Sequence, residues 1–183
     1  MGLIPIGVTG GVAEGKTTVV RVLSEMGYRV LSADEVAREV IEDPMVWELA
    51  SETLEIEGSP DRAALRRIVA CDPRKRRALN QIVHPEVLSR MIEARPDVVE
   101  APLLIETCIQ SLFQRVWVVT CGPEEQHKRL ETRLGDPRLA SSLIASQLPF
   151  ETKRCFADQV IRTDQPLECV VNAVERIGRQ VLS

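Results

Sequence analysis

Apolar residues along the chain fall into short β-type runs separated by longer stretches of helical spacing. "LIPIGVT" near the start places Ile4, Ile6 and Val8 two apart, the period of a strand. "KTTVVRVLSEMG" then sets Val19, Val20, Leu23 and Met26 at helical intervals and closes on Gly27. Four later segments read as strands: "YRVLS" after Gly27, "DVVEAPLL" from Asp97, "RVWVVTC" from Arg115 and "DQVIRT" from Asp158. Helical patterning separates the last of these and ends the chain, in "EEQHKRLETRL" from Glu124 and "PLECVVNAVERIGRQVL". Strands alternating with helices predict an α/β fold, a doubly wound parallel sheet covered on both faces.

One stretch breaks the alternation. Between "YRVLS" and "DVVEAPLL", the segments "EVAREVI", "MVWELASETL", "DRAALRRIVA" and "PRKRRALNQIVHPEVLSRMIEA" read as helix and offer no strand. The expected organisation is a core of residues 1–34 and 97–183 with a helical insertion at 35–96. Such an insertion at a crossover lies over the C-terminal edge of the sheet, where ligands bind, so a substrate pocket is expected there.

Between the first strand and the first helix stands "GGVAEGKT", residues 10–17, which fits G-x-x-x-x-G-K-[ST]. Strand, glycine loop and helix is the context in which that pattern means a P-loop. Backbone N–H groups and the positive end of the helix dipole then converge on an anion. The nucleotide-binding residues are Gly10, Gly11, Val12, Ala13, Glu14, Gly15, Lys16, Thr17 and Thr18. Lys16 reaches the β- and γ-phosphates and is expected to face solvent without nucleotide, and the Thr17 hydroxyl is the expected Mg²⁺ ligand. An ordinary βα turn rarely needs the added Lys-Thr. The chain is expected to bind a nucleoside triphosphate.

At 183 residues the chain holds one domain with room for an insertion. A formal net charge of −4 argues against a general nucleic-acid binder. "MGLIPIG" has no basic region ahead of a long apolar run, so neither a secretory signal nor a membrane span is expected. Its Met-Gly opening does not read as a myristoylation site, because Ile6 stands where that motif wants Ser or Thr. The five cysteines, Cys71, Cys108, Cys121, Cys155 and Cys169, form no CxxC pair, which fits reduced thiols in a cytoplasm.

The guanine reader N-K-x-D and the switch D-x-x-G of GTPases are missing, and a motor or transporter ATPase needs a longer chain. A small-molecule kinase remains, which requires a base, an acceptor pocket and positive charge closing over the transferring phosphate. Asp34 in "LSADEVAREV" is the candidate base, at the C-terminal end of the second strand. It fits equally well as an N-cap ahead of a helix beginning at Glu35.

In order along the chain, "GVTGGVAEGKTT", "SADEVAREV", "GSPDRAALRRIV", "VHPEV", "APLLIE", "PEEQHKRLETR" and "IASQLPFETKRCFADQVI" resemble the motifs of dephospho-CoA kinases. The resemblance spans nearly the whole chain. It implies a P-loop core, a helical CoA-binding domain and a small lid within about residues 134–150. It also implies ATP with Mg²⁺ as cofactors and dephospho-CoA as the acceptor, phosphorylated on its 3′-hydroxyl. Asp34 matches the second Asp of the family's Asp-Ala-Asp, which favours the base over the cap. Thr9, Arg38, His84, Pro102 and Leu103 are placed around the acceptor by the same resemblance. The plainer readings are an exposed helix charge for Arg38 and a helix-end residue before Pro85 for His84.

Several positions depart from the family. Ala13 stands where the middle P-loop glycine is usual, and Glu14 puts a negative charge beside the phosphates. Ser32 replaces the first Asp of Asp-Ala-Asp, Glu100 precedes "APLL", and "VIRTD" replaces Val-Ile-Asp-Asn around Thr163. The family carries an arginine immediately before "IASQ", and here that residue is Leu143. Arg138, in the same lid segment behind Asp136-Pro137, is the favoured catalytic substitute, with Arg133 and Arg154 as alternatives. The rival readings are a kinase for another nucleoside or nucleotide and a nucleotide-binding module with little catalysis, the latter suggested by Leu143, Ser32 and Glu14.

Overall fold

The computed structural model describes residues 3–56 and 62–181. The Met-Gly opening and the "GSPD" part of one quoted motif lie outside them. The chain divides into two compact units, Met1–Ser32 with Pro96–Ser183, and Ala33–Arg95.

The first unit is built on five parallel strands: β1 Ile4–Thr9, β2 Val30–Ser32, β3 Val98–Glu100, β4 Phe113–Thr120 and β5 Gln159–Arg162. Their order across the sheet is β2-β3-β1-β4-β5. Ile6 stands opposite Val98 on one side and Arg115 on the other, and Val118 pairs with Val160. All C-terminal ends therefore share one edge, with β1 at its centre. Two helices, α1 Lys16–Glu25 and α9 Leu167–Val181, cover one face. Val19, Val22 and Leu23 of α1 and Val170, Val174 and Ile177 of α9 interlock with Ile6, Val8, Val98, Trp117, Val119 and Ile161. Each fully buried aliphatic side chain of this kind stabilises the fold by about 1.5–3 kcal/mol. On the opposite face Gly7 leaves no room for a side chain: an added Cβ would lie 2.7 Å from Leu104 and 2.8 Å from Phe113.

Two expected strands come out shorter. "YRVLS" pairs only over Val30–Ser32, because Tyr28 is drawn into the core and donates its hydroxyl to the Gly178 carbonyl at 2.6 Å. "DVVEAPLL" pairs only over Val98–Glu100. Pro102 has no N–H to give a ladder, and the chain turns, with Leu104 N–H bonded to the Ala101 carbonyl at 3.1 Å.

The second unit is helical: α2 Ala33–Glu42, α3 Pro44–Leu54, α4 Arg62–Cys71 and α5 Pro73–Glu93. Val36, Val40, Trp47, Ala50, Leu54, Leu79, Val83 and Met91 form its interior. Asp43 and Asp72 cap α3 and α5, each followed by a proline at the first helical position. Arg90 joins Glu86 at 2.9 Å and Asp43 at 2.7 Å, and its hydrogen bond holds the Asp43 carboxyl below the usual range. Helix α5 continues through Pro85, so His84 is a mid-helix residue and not a helix end.

The remaining α-helices of the first unit follow β4. They are α6 Pro123–Leu134, α7 Pro137–Ala145 and the short α8 Phe150–Arg154. Gly135 closes α6 in the left-handed region (φ 69), and Asp136 caps α7. Among the described residues no helix is long and apolar enough to cross a membrane.

Candidate active site

The loop after β1 owes its shape to two glycines that no other residue could replace. A Cβ on Gly10 (φ 150) would lie 2.4 Å from the Val119 carbonyl oxygen, and one on Gly15 (φ 88) 2.7 Å from Thr163 Oγ1. Gly15 is also the N-cap of α1, so the helix opens directly on Lys16 and Thr17. Ala13 takes the left-handed conformation as well (φ 61). For a residue with a Cβ that costs roughly 1–2 kcal/mol.

Glu14 does not point toward the mouth of the loop as its sequence position suggests. It is 4 % exposed and folded inward. Its Oε1 accepts from the Thr120 hydroxyl at 2.9 Å, and its Oε2 accepts from the Gly11 N–H. The carboxylate is thus a brace behind the loop. Thr163, from the segment after β5, adds another by donating its hydroxyl to the Glu14 carbonyl at 2.7 Å. Arg129 holds Thr163 in turn, through the hydroxyl at 3.2 Å and the carbonyl at 2.8 Å, while its Nε bonds Glu125 at 2.9 Å. The Val12 peptide is gripped by two glutamines. Gln126 donates to its carbonyl at 3.0 Å, and its N–H donates to Gln147 at 2.8 Å. Lys16 is only 9 % exposed and donates to the Gly11 carbonyl at 2.9 Å, so the expectation of a solvent-facing lysine is corrected: the ammonium lies folded against its own loop. Thr17 is exposed and Thr18 half-buried.

A cleft of about 690 Å³ opens beside the loop on the β4–β5 side, lined by Cys121, Gly122, Pro123, Arg129, Arg162 and Asp164 among others. Cys121 touches the loop through a 3.8 Å contact to the Ala13 carbonyl, and burial pushes its thiol pKa up, which keeps it protonated. Arg162 and Asp164 form a close ion pair that holds the Asp164 carboxyl below the usual range.

The β3 side carries a different set. Thr9, the fully buried last residue of β1, donates to the Pro102 carbonyl at 3.1 Å. Lys153 donates to the same carbonyl at 3.1 Å and pairs with Glu106 at 2.8 Å. Glu106 also accepts the Leu148 N–H at 3.1 Å, and Leu103 is exposed.

Asp34, Arg38 and His84 belong to the helical unit. Asp34 lies inside the first turn of α2, which begins at Ala33, so it is not the N-cap of a helix starting at Glu35. Its side chain is exposed and makes no hydrogen bond among the described residues. Arg38 follows one turn later, exposed on the same helix face. His84 is exposed on α5. Ser32 and Glu100 stand opposite each other at the ends of β2 and β3. In the lid segment Arg138 is exposed in the first turn of α7 and Leu143 is exposed farther along. Arg133 is exposed in the last turn of α6, and Arg154 pairs with Glu151 at 3.0 Å.

Thr120, Gln126, Gln147 and Lys153 do not announce themselves in the sequence. Gln126 and Arg129 are one turn apart on α6, a spacing that could have flagged a shared face.

A parallel sheet in this order, with a glycine loop delivering Lys16 to a helix N-terminus beside the central strand, defines a P-loop nucleotide-binding protein. Comparison narrows the class. A family model described as dephospho-CoA kinase matches residues 4–168. A dephospho-CoA kinase from Gloeobacter violaceus is 38% identical over 183 residues, covering 93% of this chain and 89% of its own. One from Synechococcus sp. is 40% identical over 171 residues, covering 85% and 83%. The chain belongs to the dephospho-CoA kinase family, and it is an ATP-using kinase. Among solved structures, TT1252 from Thermus thermophilus superposes with a TM-score of 0.82 at 30% identity, covering 98% of both chains. Dephospho-CoA kinase from Campylobacter jejuni shares the fold with a TM-score of 0.66 at 22% identity over 97% of each chain.

Proposed function

We propose that this protein transfers the γ-phosphoryl group of ATP to the 3′-hydroxyl of dephospho-CoA, yielding coenzyme A and ADP. The observation that carries the reading is the braced P-loop in a chain whose relatives are dephospho-CoA kinases. The phosphates lie on the loop amides and the N-terminus of α1, with Lys16 released from the Gly11 carbonyl to meet them. The nucleoside occupies the cleft between α6 and the segment after β5, whose volume suits a base and ribose.

Mg²⁺ fits this donor set. The exposed Thr17 hydroxyl is a hard oxygen ligand beside the phosphates. Among the described residues no group of three or more His, Cys, Asp or Glu could hold a metal by itself. Mg²⁺ is typically held by few protein groups and by substrate phosphates, and when bound it neutralises charge on the transferring group.

The acceptor's reacting end belongs on the β3 side of the sheet unit, with Thr9, Pro102 and Leu103; within the helical unit Arg38 and His84 are its acceptor-binding residues. Asp34, two residues past the end of β2 and uncommitted as a cap, takes the proton of the 3′-hydroxyl as the oxygen attacks in line. Arg138 brings positive charge to the γ-phosphate oxygens when the lid closes.

The test is to supply ATP, Mg²⁺ and dephospho-CoA and follow coenzyme A by mass. Asp34→Asn should turn over about 10²–10⁴-fold more slowly with ATP affinity unchanged. A protein that binds ATP yet forms no coenzyme A would refute the reading, and wild-type turnover by Asp34→Asn would remove the base.

A further inference from the structure

Lys153 is 1 % exposed, the environment in which a lysine is almost never found unless it is paired. Both of its partners lie on the loop after β3. Nζ donates to the Pro102 carbonyl at 3.1 Å and pairs with Glu106 Oε1 at 2.8 Å. The Pro102 carbonyl is shared with Thr9, so a continuous chain of polar contacts runs from the end of β1 through the loop to α8. A second chain meets it at Glu106, whose Oε1 also takes the Leu148 N–H, while the neighbouring Gln147 takes the Val12 N–H of the P-loop. Residues 147–153, the segment leaving the lid helix, thus bind the P-loop at one end and the loop after β3 at the other. The other oxygen of Glu106, Oε2, is buried without a hydrogen-bond partner among the described residues.

Sheet order gives this network a side. The nucleoside cleft is built from residues after β4 and β5, and the loop after β3 lies across β1 from it. What Lys153 holds directly, the Pro102 carbonyl and Glu106, therefore lies across β1 from the donor-side braces Glu14, Thr120, Gln126 and Thr163, and Gln147 joins the two sets through the Val12 N–H.

We propose that Lys153 is a positioning residue for the acceptor: by clamping the Pro102 carbonyl and the Glu106 carboxylate it sets the β3-side loop against Thr9 and against the segment leaving the lid. This rests on the reading of the protein as a dephospho-CoA kinase. Lys153 touches no reacting atom; it acts through the loop. A buried ion pair with only a structural role can be exchanged for apolar residues of similar volume with little loss, because two desolvated charges are removed together. A pair that positions a substrate loop cannot, since the apolar substitute makes no bond to the Pro102 carbonyl.

The experiment compares the full-length wild type with Lys153→Met, Lys153→Arg and the double variant Lys153→Met/Glu106→Leu, measuring melting temperature, kcat, and KM for each substrate. Losing charge-assisted hydrogen bonds of this kind should raise KM for dephospho-CoA by about tenfold or more in Lys153→Met, with KM for ATP within about twofold. Lys153→Arg should recover most of the loss, because a guanidinium can bond both oxygens. The double variant should regain the wild-type melting temperature while its KM for dephospho-CoA stays raised. Should that KM return together with stability, or KM for ATP rise in step, Lys153 is not an acceptor-positioning residue. Should Lys153→Met not fold, the double variant decides on the same grounds. A wild type that makes no coenzyme A would overturn the functional reading, and this inference with it.

Discussion

Glu14 is the position where the sequence and the structure make opposite demands on the same substitution. A carboxylate facing the phosphates would oppose ATP by about 2 kcal/mol per phosphate charge at roughly 9 Å with an effective dielectric of about 20. Removing it would then tighten ATP binding. In the structure it faces inward, taking hydrogens from the Thr120 hydroxyl and the Gly11 N–H. Glu14→Gln keeps the shape but has only one acceptor oxygen for two donors. If that oxygen serves Gly11, the new amide faces Thr120 Oγ1, which already accepts from the Gly122 N–H at 3.1 Å. The Thr120 proton is left without an acceptor, and one buried donor unpaired costs about 1–3 kcal/mol. For a chain of this length that lowers the melting temperature by about 2–12 °C. ATP affinity should fall as well, because the loop that presents the amides loses its brace. Thermal unfolding with and without ATP, together with ATP titration calorimetry, reads both quantities. An unchanged melting temperature with tighter ATP binding would refute the brace.

Three further outcomes follow from the geometry. Ala13→Gly should raise stability by about 0.5–1 kcal/mol, since relief of the left-handed strain exceeds the glycine's added unfolded-state entropy; a lower melting temperature would contradict this. Arg138→Ala should reduce kcat by about 10³-fold while Arg133→Ala and Arg154→Ala stay near wild type and Leu143→Arg gains little. A large gain from Leu143→Arg with Arg138→Ala silent would show a lid without compensation. Asp97 is held below the usual carboxylate range by its hydrogen bonds from the Arg29 side chain and N–H. Its contribution to stability is therefore present above an unfolded pKa of about 3.9 and is lost as pH falls through the lower folded value. Asp97→Asn should be less stable than wild type at neutral pH, and the gap in melting temperature should narrow below about pH 4; a constant gap would remove the linkage.

Local interactions were legible in the chain itself. The glycine loop between an alternating apolar run and a helical one specified the P-loop, because Gly10 and Gly15 answer to backbone geometry within a few residues. Helix starts were equally local: Asp136-Pro137 caps α7 as its sequence suggests, and the same dipeptide at 43–44 and 72–73 caps α3 and α5 through bonds two or three residues ahead. The parallel α/β class followed from alternating periods, and membership of the dephospho-CoA kinase family from motifs spread over the chain. Where the loop's support comes from did not follow. Its braces reach Glu14, Val12 and their neighbours from Thr120, Gln126, Gln147 and Thr163, which stand 106 to 149 residues away in sequence. Only the order β2-β3-β1-β4-β5 places β4 beside β1 and β5 next to β4, and so carries Thr120 and Thr163 to the loop. That arrangement turned Glu14 inward and buried Lys153 under the loop after β3. A side chain's direction depends on which donors and acceptors lie within about 3 Å of it, and for these residues every decisive partner but Gly11 was supplied by a distant part of the chain.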